Sequence, residues 1–460
     1  MEMKQQQFTG NNKLLLGIVL GVITFWLFAQ SLLNLVPTIQ HSFSSSIGTT
    51  SIAISITALF SGMFVVGAGS FADKLGRVKM TYIGLILSII GSLLIIVTPF
   101  TPMLILGRII QGLSAAAIMP STLAIIKTYY QGSDRQRALS FWSIGSWGGS
   151  GFASLFGGMI DTAIGWRWIY IISIIVAILA ILLIKGTPET KANQTTNTKF
   201  DFVGLTLFVI MMLSINVVIT QSAKLGLLSP TILALIAVFI ISTIIFVRVE
   251  MKMHYPLIDF KLFNNKAYTS ATVSNFMLNG VAGTLIVANT FVQQGLGFST
   301  FQTGLLSITY LITVLLMIRV GEKVLQKVGA RKPMLLGTAL NMVGILLISF
   351  TFLSSQMYVV VCVIGYLLYG LGLGFYATPS TDTAISNSPE DKVGVASGIY
   401  KMASSLGGAF GIALSGTLYG IGAAMVNINF GAMLGLWLNI LMAIISFTVI
   451  LIGVPKQQSK

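Results

Sequence analysis

Two places in this 460-residue chain put ionisable side chains where they are costly or tightly spaced. The first is Arg108-Ile-Ile-Gln111-Gly112, inside an apolar run over 103–126. A guanidinium in hydrocarbon costs on the order of 3 kcal/mol on insertion scales and more in simulation. It is kept either to handle charge or to cap polar groups of the first apolar run, such as Gln30 and Asn34. The second is Gly69-Ser-Phe-Ala-Asp73-Lys74-Leu-Gly76-Arg77-Val-Lys79, a loop between two apolar runs. Gly69 lets two helices approach closely, and Gly76 permits a tight turn with positive φ. Asp73 suits a helix terminus, where it would accept hydrogen bonds from a neighbour, while Lys74, Arg77 and Lys79 hold a charged surface.

The acids limit any proton chemistry. There are twelve, and none lies at the middle of an apolar run. A buried proton carrier needs a carboxyl whose pKa has been raised by desolvation. The nearest candidates are Glu322 and Asp382, each just past an apolar run, with Asp161 near the opposite face. Each reads equally as a solvated loop acid, and Arg319 and Lys323 favour an ion pair for Glu322. His41 and His254 read as surface residues. Inside the runs, neutral Gln30, Asn34, Asn279 and Asn289 stand with Phe25, Trp26, Trp142, Trp147, Tyr310 and Tyr369. With 20 Met as soft contact surface, such a lining suits bulky planar amphiphiles, not a sugar phosphate or a dicarboxylate. The substrate-binding candidates are Phe25, Trp26, Gln30, Asn34, Trp147, Asn279, Asn289 and Tyr310; any single aromatic also reads as packing or lipid contact. The chain has no Gly-rich phosphate loop, no H-E-x-x-H and no nucleophile elbow, so no enzyme chemistry, metal or cofactor is expected. Energy must come from an ion gradient, a substrate gradient or a partner.

The elements that position these residues are membrane helices. Hydrophobic residues make up 55% and charged residues 8% of the chain, and apolar runs of about 20 residues recur along it. They fall near 14–36, 48–70, 80–98, 103–126, 138–160, 167–185, 202–221, 230–249, 268–291, 301–320, 334–354, 357–378, 395–422 and 430–453, fourteen in all. Lipid leaves backbone groups no partner outside a helix or closed barrel, and these runs are too uniformly apolar for barrel strands. With a cytoplasmic N-terminus, 24 of the 27 Lys and Arg fall in inner segments, leaving Arg167 and Lys224 outside and Arg108 within a span. That is the positive-inside pattern. It accounts for the net charge of +15 without nucleic acid, since the basic residues are dispersed. Both termini are therefore expected in the cytoplasm. The single cysteine, Cys362, excludes an intramolecular disulfide. The first run is span-length without a cleavage site and reads as an anchor, and the short polar tails suggest no attached soluble domain. Span five maps onto span thirteen at an offset of 258, pairing Ser146 with Ser404, Gly149 with Gly407 and Gly158 with Gly416. The expected fold is all-α: a six-helix half over 1–186, a linker with two inserted helices over 187–266, and a second six-helix half over 267–460. Paired halves suit alternating access.

The loop Gly69–Lys79 resembles the signature G-x-x-x-D-R/K-x-G-R-x-K/R of the major facilitator superfamily. Arg108, Gln111 and Gly112 resemble its R-x-x-x-G motif with Gln before the Gly. Span five resembles the antiporter motif G-P-x-x-G-G at Gly157 and Gly158, with Gly149 in the same glycine-rich helix; Ala153-Ser154 replace the Gly-Pro pair and its kink. The chain is similar to 14-span drug/H+ antiporters of this superfamily. Phe25–Gln30, Trp142–Gly151 and Tyr376–Ala384 resemble Gram-positive quinolone efflux pumps. This implies a monomeric multi-pass protein of the bacterial cytoplasmic membrane, driven by protons, that exports fluoroquinolones, dyes and quaternary amines. It implies a conformational latch at Gly69, Asp73, Lys74, Gly76 and Arg77. It also implies proton coupling through Arg108, Gln111 and Gly112, with Glu322 or Asp382; the carboxylate such antiporters hold in span one is missing here. Rival readings are an importer, a uniporter or a lipid-type exporter on the same fold, and a membrane sensor or scaffold without a transport cycle.

Overall fold

In the computed structural model the described residues are 8–44, 47–192, 201–226, 228–253, 256–298 and 300–456, and these residues form helices and connecting segments. They cluster in two compact units. The first comprises Met1–Asn197 with Ser388–Gly398, and the second Thr198–Asn387 with Ile399–Lys460.

The first unit holds α1 (Asn12–Ile23), α2 (Val36–Phe43), α3 (Ile47–Leu75), α4 (Arg77–Val97), α5 (Thr101–Tyr129), α6 (Gly132–Ser143), α7 (Gly149–Ile164) and α8 (Arg167–Ile184). Asn11 starts α1 by accepting from the Leu14 amide at 2.9 Å, and Gly165, at φ +95°, ends α7. α3 packs on α5, α5 on α4, and α8 on α4 and α1. Phe28, Leu32, Ile39, Ile95, Leu104, Trp166 and Ile169 fill its core. Large apolar side chains such as Leu16, Ile86 and Ile175 stay exposed on the helix flanks, as surfaces facing lipid do. Between α1 and α2 the chain is helical but not α-helical: Thr24–Phe28 is a π-turn and Ala29–Asn34 a 3₁₀ segment. A second π-turn, Ile144–Gly148, joins α6 to α7. Such breaks release main-chain carbonyls from the regular ladder.

The second unit holds α9 (Phe202–Leu225), α10 (Pro230–Lys252), α11 (Lys266–Gly280), α12 (Gly283–Gln294), α13 (Thr300–Val328), α14 (Arg331–Ile348), α15 (Ser355–Ser386) and α17 (Ile428–Gly453); α16 (Val393–Met425) begins in the first unit and continues in the second. α9 and α10 pair chiefly with each other, and α15 packs against α13 and α14.

Twelve helices among the described residues are long and apolar enough to cross a membrane, against fourteen runs expected from sequence. The two that fall short are the fifth and seventh runs, where only Leu155–Ile164 and Phe202–Ile215 qualify as shorter apolar helices. The fifth is diluted by Gly and Ser between Gly145 and Gly158, whereas the seventh lies within α9, a 24-residue helix. The offset of 258 has a packing basis. A β-carbon on Gly149 would meet Trp26, and one on Gly407 would overlap the backbone of Phe276, so spans five and thirteen use the matched glycine for close approach to spans one and nine.

Candidate functional site

The loop between α3 and α4 is built around Asp73. Gly76, at φ +125°, makes the turn that ends α3 and starts α4. Four residues apart, Asp73 and Arg77 are only 3% and 4% exposed, and they pair. Arg77 donates from Nε at 3.1 Å and from Nη2 at 3.0 Å to Asp73 Oδ1. The same carboxylate caps the start of α16: it accepts from the Gly394 amide at 3.0 Å on Oδ1 and from the Val395 amide at 3.1 Å on Oδ2. A buried anion thus meets two unsatisfied amides at the positive end of a helix dipole, with a guanidinium as counter-ion. Arg77 extends the clasp by donating to the Glu390 carbonyl at 2.9 Å and to Thr128 Oγ1 at 2.8 Å. Lys127 donates to the Ser388 carbonyl and hydroxyl. Gly69 makes room for this: a β-carbon there would overlap the Gly394 carbonyl. Lys74, the remaining loop candidate, is half-buried beside this clasp.

Arg108 is fully buried on α5. Its Nη1 donates to the Ala29 carbonyl and, at 3.1 Å, to Gln111 Oε1; its Nε donates to the Ala53 carbonyl at 3.3 Å, and the Tyr170 phenol lies beside it. Ala29 is where the π-turn gives way to 3₁₀ geometry, so the cation sits on main-chain oxygen exposed by that break. The capping reading is right in kind, although the acceptors are backbone carbonyls. Gln111 passes the contact on to Ser92 Oγ at 3.3 Å, and Gly112 lets α5 close on the Thr57 carbonyl of α3. Two glycines of α7 lie against the same broken segment: a β-carbon on Gly149 would sit 3.1 Å from Trp26 Cβ, and one on Gly157 2.6 Å from the Ser31 carbonyl. Gly158, expected to share this role, has open space around it.

The acid candidates differ. Glu322 is buried, paired with Arg319 and accepting from Gln326 at 3.0 Å, as its flanking cations suggested. Asp382 is buried on α15 and accepts from Ser386 Oγ at 3.1 Å. Asp161 accepts from Thr38 Oγ1 at 3.0 Å. Among the substrate candidates, Phe25 and Trp26 stand edge to face at 5.1 Å on the π-turn, which packs against the second π-turn carrying Trp147. Gln30 is half-buried just beyond, and the side chain of Asn34 lies outside the described residues. In the second unit Asn289 accepts from Tyr366 at 3.2 Å and Ser307 at 3.4 Å, Asn279 donates to Asn275, and the Tyr310 ring lies tilted against Tyr369 with centroids 5.3 Å apart. Trp142 and Tyr369 are fully buried, donating to Thr122 and to the Val281 carbonyl. His41 is exposed, and His254 lies outside the described residues.

The Major Facilitator Superfamily model matches residues 16–412 and 269–460. The chain belongs to the major facilitator superfamily. It is 64% identical over 453 residues to the quinolone resistance protein NorB of Staphylococcus aureus strain MRSA252, covering 98% of both chains, and equally so to that of strain COL. Among solved structures it resembles a double-tryptophan mutant of XylE, with a TM-score of 0.69 at 17% identity over 97% of this chain and 96% of that one. It also resembles the human organic anion transporter MFSD10, with a TM-score of 0.65 at 14% identity over 95% and 98%. It is a multi-pass membrane protein of the bacterial cell membrane and a member of a transporter family.

Within this superfamily frame, some residues of the site carry no motif. Glu189 closes the N-terminus of α4, accepting from the Val78 and Lys79 amides at 2.9 Å each. Lys401, counted from sequence with the inner loops, is buried on α16. Asp201 and Glu250 are buried on the α9–α10 hairpin. Only their being acids next to apolar runs could have pointed to them.

Proposed function

We propose that this chain is a fourteen-span exporter of amphipathic drugs, quinolones among them, with both termini in the cytoplasm. In this reading it acts as a monomer, with halves at 1–186 and 267–460 around an inserted hairpin over 187–266. The observation that carries the reading is the 64% identity over 98% of the chain to a quinolone resistance protein. The family's way of working is alternating access, and the clasp at Asp73 supplies a bistable contact for it. The hydrogen bonds from the Gly394 and Val395 amides, and the one from Arg77 to the Glu390 carbonyl, exist only while Ser388–Gly398 lies on α3–α5, so the clasp biases one state over the other. Gly69, Asp73, Lys74, Gly76 and Arg77 form the latch. Arg108, steadied by Gln111 and Gly112, provides fixed positive charge, and Glu322 or Asp382 carries the proton that drives export. Phe25, Trp26, Gln30, Asn34, Trp147, Asn279, Asn289 and Tyr310 contact the substrate, with Gly149, Gly157 and Gly158 on the antiporter helix.

The test is dye and norfloxacin transport in inverted membrane vesicles energised by a pH gradient, comparing the parent with Arg108→Ala, Glu322→Gln and Asp382→Asn. Uptake into vesicles that collapses with the gradient, and is lost in one acid variant, is expected. Uptake indifferent to the gradient would remove the proton from the mechanism; transport in the opposite sense would make the chain an importer.

A further inference from the structure

Asp201 and Glu250 meet where α9 begins and α10 ends. Asp201 uses one oxygen as an N-cap, accepting from the Gly204 amide at 2.7 Å. Glu250 uses one oxygen to accept from the Ile258 amide at 2.8 Å, tying the segment after α10 to the hairpin. The other two oxygens, Asp201 Oδ2 and Glu250 Oε1, are buried and receive no hydrogen bond from any described residue. The residues are 5% and 2% exposed. The two free oxygens point into one gap: a β-carbon on Gly204 would overlap both.

Ionising both carboxylates is costly, because each loses hydration on burial and faces a like charge across the gap. The surroundings offer no described cation. On α10, Arg248 and Lys252 are exposed, and neither forms an ion pair with the acids among the described residues. In the following segment Asp259 accepts from the Lys261 amide, and Lys261 is exposed. The only charged residue of α9, Lys224, lies at its far end, and Lys199, His254 and Tyr255 lie outside the described residues. A single proton placed between Oδ2 and Oε1 satisfies both orphan oxygens at once. It leaves one negative charge spread over a pair that already holds two amide donors.

We propose that Asp201 and Glu250 form a carboxyl–carboxylate site that binds one proton at neutral pH and joins the facing ends of α9 and α10 only while that proton is held. The site is separate from Arg108, Glu322 and Asp382. It needs Gly204, since any side chain there would enter the gap.

The sign of the pH effect follows from proton counting. At neutral pH the folded pair keeps one proton, while two free carboxylates in the unfolded chain keep none. Stability therefore falls as pH rises, by up to tenfold in the folding constant per pH unit, until the pair deprotonates. The test uses the purified full-length protein in detergent. Infrared spectra at pH 7 should show a protonated-carboxyl C=O band that is lost in both Glu250→Gln and Asp201→Asn. Both are isosteric, and Asn keeps the helix cap. The apparent melting temperature of the parent should fall between pH 6 and 9, more steeply than that of either variant. A parent spectrum without a protonated carboxyl at pH 7 overturns the proposal by itself, even if neither variant folds. So does a band that persists unchanged in both variants, or a pH slope shared by all three proteins.

Discussion

Replacing Asp73 with Asn probes the clasp most directly. Asp73 accepts four hydrogen bonds, three on Oδ1 and one on Oδ2. In its better orientation the amide keeps the Oδ1 acceptor and sets its NH₂ against the Val395 amide, donor against donor. The larger loss is charge, for Arg77 is 4% exposed and its counter-ion is gone. Breaking a buried pair by removing one partner costs about 3–5 kcal/mol. Because one acceptor survives, the lower end applies, and about 3 kcal/mol is roughly two decades in the docked population of Ser388–Gly398 at 1.36 kcal/mol per decade. Ser397 reports it: the residue is fully buried within that segment, and its hydroxyl has no partner among the described residues. With Cys362 replaced by Ser, a Ser397→Cys protein is labelled by a maleimide in membranes. Adding Asp73→Asn should raise the labelling rate by more than tenfold, toward a hundredfold, and cut drug efflux while leaving insertion intact. A rate within twofold of the parent would mean that the segment stays down without the carboxylate, and the clasp would not be the latch.

The same geometry sets four further outcomes. Gly157→Ala should impair efflux, because its β-carbon would sit 2.6 Å from the Ser31 carbonyl, whereas Gly158→Ala, with open space around it, should leave efflux within twofold of the parent in vesicles. Arg108→Lys keeps the charge but cannot reach the Ala29 carbonyl, the Ala53 carbonyl and Gln111 together, so efflux should fall more than tenfold; Tyr366→Phe, losing one hydrogen bond to Asn289, should cost about 1 kcal/mol of stability and spare efflux. Gly76→Ala forces an L-residue to φ +125° with its β-carbon against the Glu189 carboxylate, and should lower the melting temperature of the purified protein through a cost of roughly 1–3 kcal/mol.

What the sequence made legible is what hydrophobicity and spacing encode. Span positions follow from runs that only a helix can bury in lipid, and the loop around Asp73 follows from Gly, Asp and Gly at fixed distances. Arg108 was visible because a charge in an apolar run is costly and must find a partner. The π and 3₁₀ turns over Thr24–Asn34 were not visible, since Phe25-Trp-Leu-Phe is as apolar as any helix. The carbonyls that hold Arg108 were therefore hidden as well. Asp201 and Glu250 are 49 positions apart, and each alone reads as a loop acid. Their pairing depends on how tightly α9 and α10 close, which no local pattern carries. Lys401 was counted as a loop charge because it lies close to the Lys392 loop, yet the helix continues past it and buries it.

The repeat turns this difference between scaffold and chemistry into an argument. The offset of 258 that relates spans five and thirteen also relates α5 to α15: Gly107 meets Gly365, Gln111 meets Tyr369 and Gly112 meets Gly370. The contacts repeat with it. A β-carbon on Gly91 would press on the Gly107 carbonyl and Gln111, and one on Gly344 on the Gly365 carbonyl and Tyr369; Gly112 closes on Thr57 of α3, and Gly370 on Tyr310 of α13. Glycines that set helix spacing are thus kept in both units, because close packing of membrane helices depends on them. The polar residues at the same register are not kept. Arg108 corresponds to Tyr366, a guanidinium on the Ala29 carbonyl in one unit and a phenol on the Asn289 side chain in the other. Of the two, a buried cation is the costlier choice. The unit that carries Arg108 bears a cost its counterpart avoids, and the Arg108→Lys efflux assay tests whether that cost serves transport.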